Sequence, residues 1–154
     1  MSDPLARVRA RLQELGLPDT IRFFPEGTGS SEEAARAVGC SVAQIAKTVV
    51  FADAAYDPLL VIASGAHRVD TRRLGVALST KLRSVGREYL VDRLGMEPGT
   101  VTPLAIEGPT RAVMDNALLS FDRIWLAAGT ASHVMSISPR VLAERLQMTV
   151  LPVA

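Results

Sequence analysis

Lys47-Thr48-Val49-Val50-Phe51 and Leu59-Leu60-Val61-Ile62-Ala63 are two apolar runs of strand length, separated by a segment holding Ala54-Ala55-Tyr56-Asp57. β-branched and aromatic residues dominate the first run and branched aliphatics the second, which predicts a hairpin with a short loop. Neither run alternates between polar and apolar. A strand that is apolar on both sides belongs at the centre of a sheet covered on both faces.

Helix signals flank this hairpin. Asp3 is a predicted N-cap with Pro4 in the first turn, and Leu5, Val8, Leu12 and Leu15 follow at helical spacing before Gly16. Thr20 to Phe24 reads as a short strand ending at Pro25. Ser30 and Glu33 form a capping-box pattern for a helix to about Val38, stopped by Gly39, and Ser41 with Gln44 repeats it over one turn. Asp70 caps a helix through Leu78, and a strand at Leu82 to Val85 precedes a helix from about Gly86 to Leu94. Arg111 to Met114, Arg123 to Ala127 and His133 to Ile137 are candidate strands, and Ser138-Pro139 opens a helix through Leu146. The expected architecture is α/β: one domain over residues 1–154, with a mixed, mostly antiparallel, barrel-like sheet flanked by helices.

Composition narrows the class. The 154 residues carry 17 basic and 16 acidic side chains, and 48% of them are hydrophobic, the profile of an ordinary globular chain. A net charge of +1 argues against bulk electrostatic capture of a nucleic-acid duplex. No apolar run approaches the ~20 residues of a membrane span. Met1-Ser2-Asp3-Pro4 lacks the basic and apolar regions of a secretory signal. Cys40, the single cysteine, cannot form an internal disulfide, and no Cys/His cluster has zinc spacing. The expectation is a cytoplasmic protein with no metal, no cofactor and no membrane partner.

No phosphate loop, dinucleotide fingerprint or nucleophile elbow occurs, but four features call for an explanation. Lys47 stands among apolar residues in a chain with 15 Arg and only two Lys. It admits two readings: a strand-start lysine snorkelling to solvent, or a partly desolvated ammonium that binds an anion as a compact charge. Gly99-Thr100-Val101-Thr102-Pro103 is either a plain turn or a rigid backbone aimed at a reacting carbonyl. Ala127-Ala128-Gly129-Thr130-Ala131-Ser132-His133 joins small residues to a histidine that is either structural or a donor or base. Arg68, Arg72, Arg73, Lys81, Arg83 and Arg87 form a local basic stretch, which is a solvated face or a phosphate-positioning patch.

Taken in order, these strings resemble the YbaK/ProX family, stand-alone relatives of the editing domain inserted in bacterial prolyl-tRNA synthetases. The resemblance runs from about Ile21 to Leu146. It rests on Gln44 to Phe51, Leu60 to Gly65, Val69-Asp70 with Leu74, Gly99 to Pro103, Val113-Met114-Asp115, Trp125 to His133 and Ile137-Ser138-Pro139. It implies a trans-editing hydrolase that deacylates mischarged aminoacyl-tRNA, with tRNA-Pro carrying a small wrong amino acid such as Ala or Cys as the expected substrate. Lys47, Gly99 and Pro103 match the family's functional lysine and Gly-x-x-x-Pro loop. Phe24, Thr28, Ser30, Ser64, Gly65, Thr100, Val101, Thr102, Gly129 and His133 are the implied substrate-binding positions, with Arg68, Arg72 and Arg73 for tRNA phosphates. In the implied mechanism, loop backbone groups place the aminoacyl group and a water, a terminal-ribose hydroxyl of the tRNA assists, and Lys47 anchors the terminal phosphate or ribose. The implied partners are the aminoacyl-tRNA 3′ end and prolyl-tRNA synthetase or another synthetase. The competing expectation is a non-catalytic module of the same fold that binds tRNA ends or docks on a synthetase.

Overall fold

The computed structural model describes residues 3–106 and 110–154; Met1 and Ser2 of the N-terminal stretch read above lie outside them. Helix α1 (Pro4–Glu14) starts where Asp3 accepts the Leu5 N–H, and buries Val8 and Leu12. Strand β1 (Arg22–Phe23) is shorter than the Thr20 to Phe24 expected. The cause is local. Asp19 Oδ1 takes the Ile21 N–H, while the Thr20 hydroxyl donates to the Ser136 carbonyl and accepts from the Ser136 N–H, so a side chain replaces a backbone rung. Helix α2 (Ser31–Val38) is capped by Ser30 and ends at Gly39, which takes the left-handed conformation that a β-carbon disfavours.

The predicted hairpin forms. Strands β2 (Ala46–Ala52) and β3 (Pro58–Ser64) pair antiparallel from Ala46↔Ser64 to Ala52↔Pro58. The Asp53 carboxylate closes the loop by accepting the Ala55 and Asp57 N–H groups. Helix α3 (Thr71–Leu78), strand β4 (Arg83–Ser84) and helix α4 (Arg87–Leu94) then cross over to β5 (Arg111–Asp115), which runs parallel to β3. Strands β6 (Ile124–Ala127) and β7 (His133–Ile137) make a second hairpin, and helix α5 (Pro139–Arg145) leads to β8 (Thr149–Leu151). The sequence reading did not anticipate β8. It is three residues long, stops at Pro152 and holds its place by parallel pairing to β5.

The strands form two sheets, one ordered β4-β2-β3-β5-β8 and one ordered β1-β7-β6. Most strand pairs are antiparallel, and β3-β5 and β5-β8 are parallel. The barrel-like closure expected from the sequence is not confirmed: among the described residues the only β-pairing between the two sheets is an isolated parallel bridge, Ile45↔Trp125. Both faces of the large sheet are covered, as the apolar hairpin requires. Val50, Leu60, Ile62 and Met114 pack with Leu12, Leu104 and Leu126 on one side. Phe51, Leu59, Val61 and Val113 pack under Leu74 of α3 and Val153 on the other.

Ile62 is fully buried between these layers. Ile62→Ala is expected to cost about 2–5 kcal/mol, read as a lower urea midpoint with an unchanged slope.

Candidate active site

The chain enters β2 through a single 3-10 turn, Val42–Gln44. Gln44 Oε1 accepts the Ser41 N–H, and Gln44 Nε2 reaches the Arg123 carbonyl at the start of the second hairpin. Ile45 then bridges Trp125 and accepts the Gly65 N–H at 2.7 Å. Gly65 has no room for a side chain, because a β-carbon there would lie 2.6 Å from the Val42 carbonyl oxygen. Ala46 and Lys47 are thereby held where the sheets converge.

A cavity of about 100 Å³ opens at this point. Loop residues Thr28 and Gly29, the first turn of α2 (Ser30, Ser31, Ala34), the start of β2 (Ile45 to Thr48), Gly99 and Val101, and residues of β6 and β7 line it. Lys47 is half-buried, and among the described residues its ammonium has no hydrogen-bond or ion-pair partner. The Thr48 hydroxyl, also in the wall, is buried without a partner. A cation on a small, largely apolar cavity, with no carboxylate in its lining, suits an anionic or strongly polar ligand group.

Two neighbouring loops contribute to the wall. In one, Thr28 is buried, and its N–H and hydroxyl both reach the Ala131 carbonyl. In the other, Gly99 has φ +80°, and a β-carbon there would stand 3.5 Å from the Gly29 carbonyl. The run into Gly99 is braced. Arg87 donates to both Glu97 carboxylate oxygens at 2.8 and 2.7 Å, and Thr100 donates its N–H and hydroxyl to the Glu97 carbonyl. The Arg87 hydrogen bond holds Glu97 below the ordinary carboxylate range, so the clamp is intact at neutral pH and loosens only as Glu97 protonates in acid. Beyond it, the buried Thr102 hydroxyl caps the turn Pro103–Ala105 by accepting the Leu104 N–H.

Among the residues expected from the sequence, Lys47, Thr28, Ser30, Gly99 and Val101 therefore meet at one cavity. The others are not in its lining. The Ser64 hydroxyl donates to the Ala43 carbonyl, and Gly65 packs under Val42. Pro103 lines a separate cleft. Gly129, at φ +102°, lets the strand exit approach α1, since a β-carbon would lie 2.9 Å from the Pro4 carbonyl carbon. His133 contacts the Thr130 hydroxyl at 2.7 Å and the Phe23 ring. Phe24 lies under the Arg22 guanidinium. Arg68, Arg72 and Arg73 do not line the cavity; Arg73 and Arg87 are engaged with the Ala154 carbonyl and Glu97.

Three features escaped the sequence reading. Trp125, the single tryptophan, is in the cavity wall. Arg22 stands over both the Phe24 and Trp125 rings, with its guanidinium carbon 5.0 and 5.8 Å from their centres, and so adds a second cation near the cavity. His67 Nδ1 meets the buried Asp115 carboxylate at 2.7 Å, and Asp115 also accepts the Ser64 and Ala117 N–H groups. Only the parallel pairing of β3 with β5 brings those strand ends together, which no local pattern signals.

A model of the aminoacyl-tRNA editing domain family matches residues 25–144. The chain belongs to that family. This editing domain is 28% identical, with a TM-score of 0.90, to a solved structure named a candidate trans-editing enzyme for prolyl tRNA synthetase, over 99% of this chain and 98% of the other. It is similar to the hypothetical protein APE2540 at 25% identity and TM-score 0.90, over 96% of this chain and 98% of that one. The uncharacterized protein YwhH of Bacillus subtilis (strain 168) is 23% identical over 140 residues, which is 91% of this chain and 89% of its own. None of the editing domain's helices, among the described residues, is long and apolar enough to cross a membrane.

Asp115 satisfies three donors from a fully buried position. Asp115→Ala is expected to lower unfolding free energy by at least about 2 kcal/mol, and His67→Ala by less because its ring is partly solvated. Urea denaturation of the two variants checks the order.

Proposed function

We propose that the chain is a trans-editing aminoacyl-tRNA deacylase, acting in the cytoplasm on tRNA-Pro that carries a small wrong amino acid such as Ala or Cys. The observation that carries this reading is that Lys47, without a partner among the described residues, shares the lining of a cavity of about 100 Å³ with the Gly99 loop, in a chain of the editing-domain family. A small cavity of this kind fits a site that takes a small side chain in preference to a large one. Size exclusion of this kind is the coarse sieve of editing.

The reaction is hydrolysis of an activated ester. Water attacks the carbonyl carbon, the bond to the ribose oxygen breaks, and the amino acid leaves as a carboxylate while the ribose regains its hydroxyl. A terminal-ribose hydroxyl of the tRNA orients or deprotonates the water. The braced backbone around Gly99 and Val101 holds the aminoacyl group, so the protein contributes placement and preorganised dipoles more than a nucleophile. Lys47 anchors the terminal phosphate or the ribose end. The near-neutral net charge fits a grip on the acceptor end alone, with weak affinity for uncharged tRNA and a synthetase, prolyl-tRNA synthetase foremost, as delivering partner.

The test is a panel of mischarged tRNAs followed for ester loss. Ala-tRNA-Pro or Cys-tRNA-Pro is expected to be cleaved well above the spontaneous rate, and Lys47→Ala to lose at least 100-fold, or about 2.7 kcal/mol of barrier. Binding of the charged tRNA without cleavage of any panel member would replace the enzyme by a binding module.

A further inference from the structure

A second, larger cleft lies away from Lys47, and nothing in the proposed reaction uses it. It has a volume of about 460 Å³ and is lined by Arg11 of α1, Arg111 at the start of β5 and Arg145 at the end of α5. No carboxylate is among its described lining residues, in a chain whose net charge is only +1. The three guanidiniums are poorly compensated. Arg111 has no hydrogen bond or ion pair among the described residues. Arg145 donates to the Leu15 carbonyl. Arg11 touches Glu14 through one nitrogen at 3.3 Å, while its Nε is buried without a partner.

Three like charges converging on one concavity repel one another unless an anion sits between them. Guanidinium forks match phosphate oxygens in pairs. The volume falls among small-molecule sites and far exceeds what a bare ion needs. Leu60 and Met148 in the lining offer an apolar surface for the rest of such a ligand. We propose that this cleft binds an organic phosphate, with its phosphate on Arg11, Arg111 and Arg145 and its body over Leu60 and Met148.

The cleft and the Lys47 cavity share no lining residue. Leu60 pairs with Val50, three residues along β2 from Lys47, or about 10 Å at ordinary strand rise. One segment touches both: Gly99 and Val101 line the cavity, and Pro103 lines the cleft. An occupied cleft therefore bears on the same loop that walls the cavity. The organic phosphate is either a free nucleotide or a nucleotide of an RNA strand, and the chemistry of the seat is the same for both.

The experiment is calorimetric titration of the full chain with ADP, with a short single-stranded RNA and with inorganic phosphate, at low salt. ADP or the RNA is expected to bind more tightly than inorganic phosphate. Arg111→Glu is expected to weaken that binding at least tenfold and Arg111→Ala at least threefold, neither with a lower thermal unfolding temperature, because Arg111 is exposed and unpaired among the described residues and its removal relieves repulsion. Lys47→Ala is expected to leave ADP binding unchanged. Tighter binding of ADP assigns a free nucleotide, and tighter binding of the RNA assigns a strand. Absence of binding by both, equal affinity in Arg111→Glu, or loss of ADP binding in Lys47→Ala in place of Arg111→Glu would overturn the proposal. None of these readouts depends on ester hydrolysis, so the deacylase reading and this one fail separately.

Discussion

The parallel bridge between Ile45 and Trp125 joins the two sheets at the residue just before β2. Three contacts hold it from the hairpin side: the Gly65 N–H on the Ile45 carbonyl, the bare Gly65 Cα under the Val42 carbonyl, and Gln44 on the Arg123 carbonyl. Because strand side chains alternate, this fixes which way Ala46, Lys47 and Thr48 leave the backbone. The cavity lies beside this junction, lined by the start of β2 and by residues of β6 and β7.

What surrounds the cavity is tied to its neighbours by identifiable contacts. Thr28 ties one loop to Ala131, and Arg87, Glu97 and Thr100 tie the other. Backbone groups held in this way lose little freedom when a ligand arrives, which is the condition for catalysis by placement. The proposed chemistry asks for no more, since an aminoacyl ester is already activated and a cation supplies the anchor.

Local signals in the sequence carried most of the fold. Caps at Asp3, Ser30, Asp70 and Ser138, and the stop at Gly39, act over a few residues and stand where they were expected. The apolar hairpin marked the buried centre of the sheet for the same reason. Non-local pairing was not legible. β8 exists only because β5 is beside it, and β1 is short because the Thr20 hydroxyl substitutes for a backbone rung. The two sheets remain unclosed where a barrel was expected. At the site, Lys47, Gly99, Thr28, Ser30 and Val101 were named from sequence and converge. Trp125, Arg22 and the His67–Asp115 pair were missed, because each acquires its role from a residue distant in the chain.

The central claim is that the Lys47 cavity receives the aminoacylated 3′ end of a tRNA. Trp125 is the only tryptophan and lines that cavity, so its fluorescence reports occupancy directly. Titration with a non-hydrolysable, amide-linked alanyl analogue of the terminal nucleotides is expected to give a saturable change in emission, weakened at least tenfold by Lys47→Ala. No saturable change, or the same affinity in Lys47→Ala, would contradict the account.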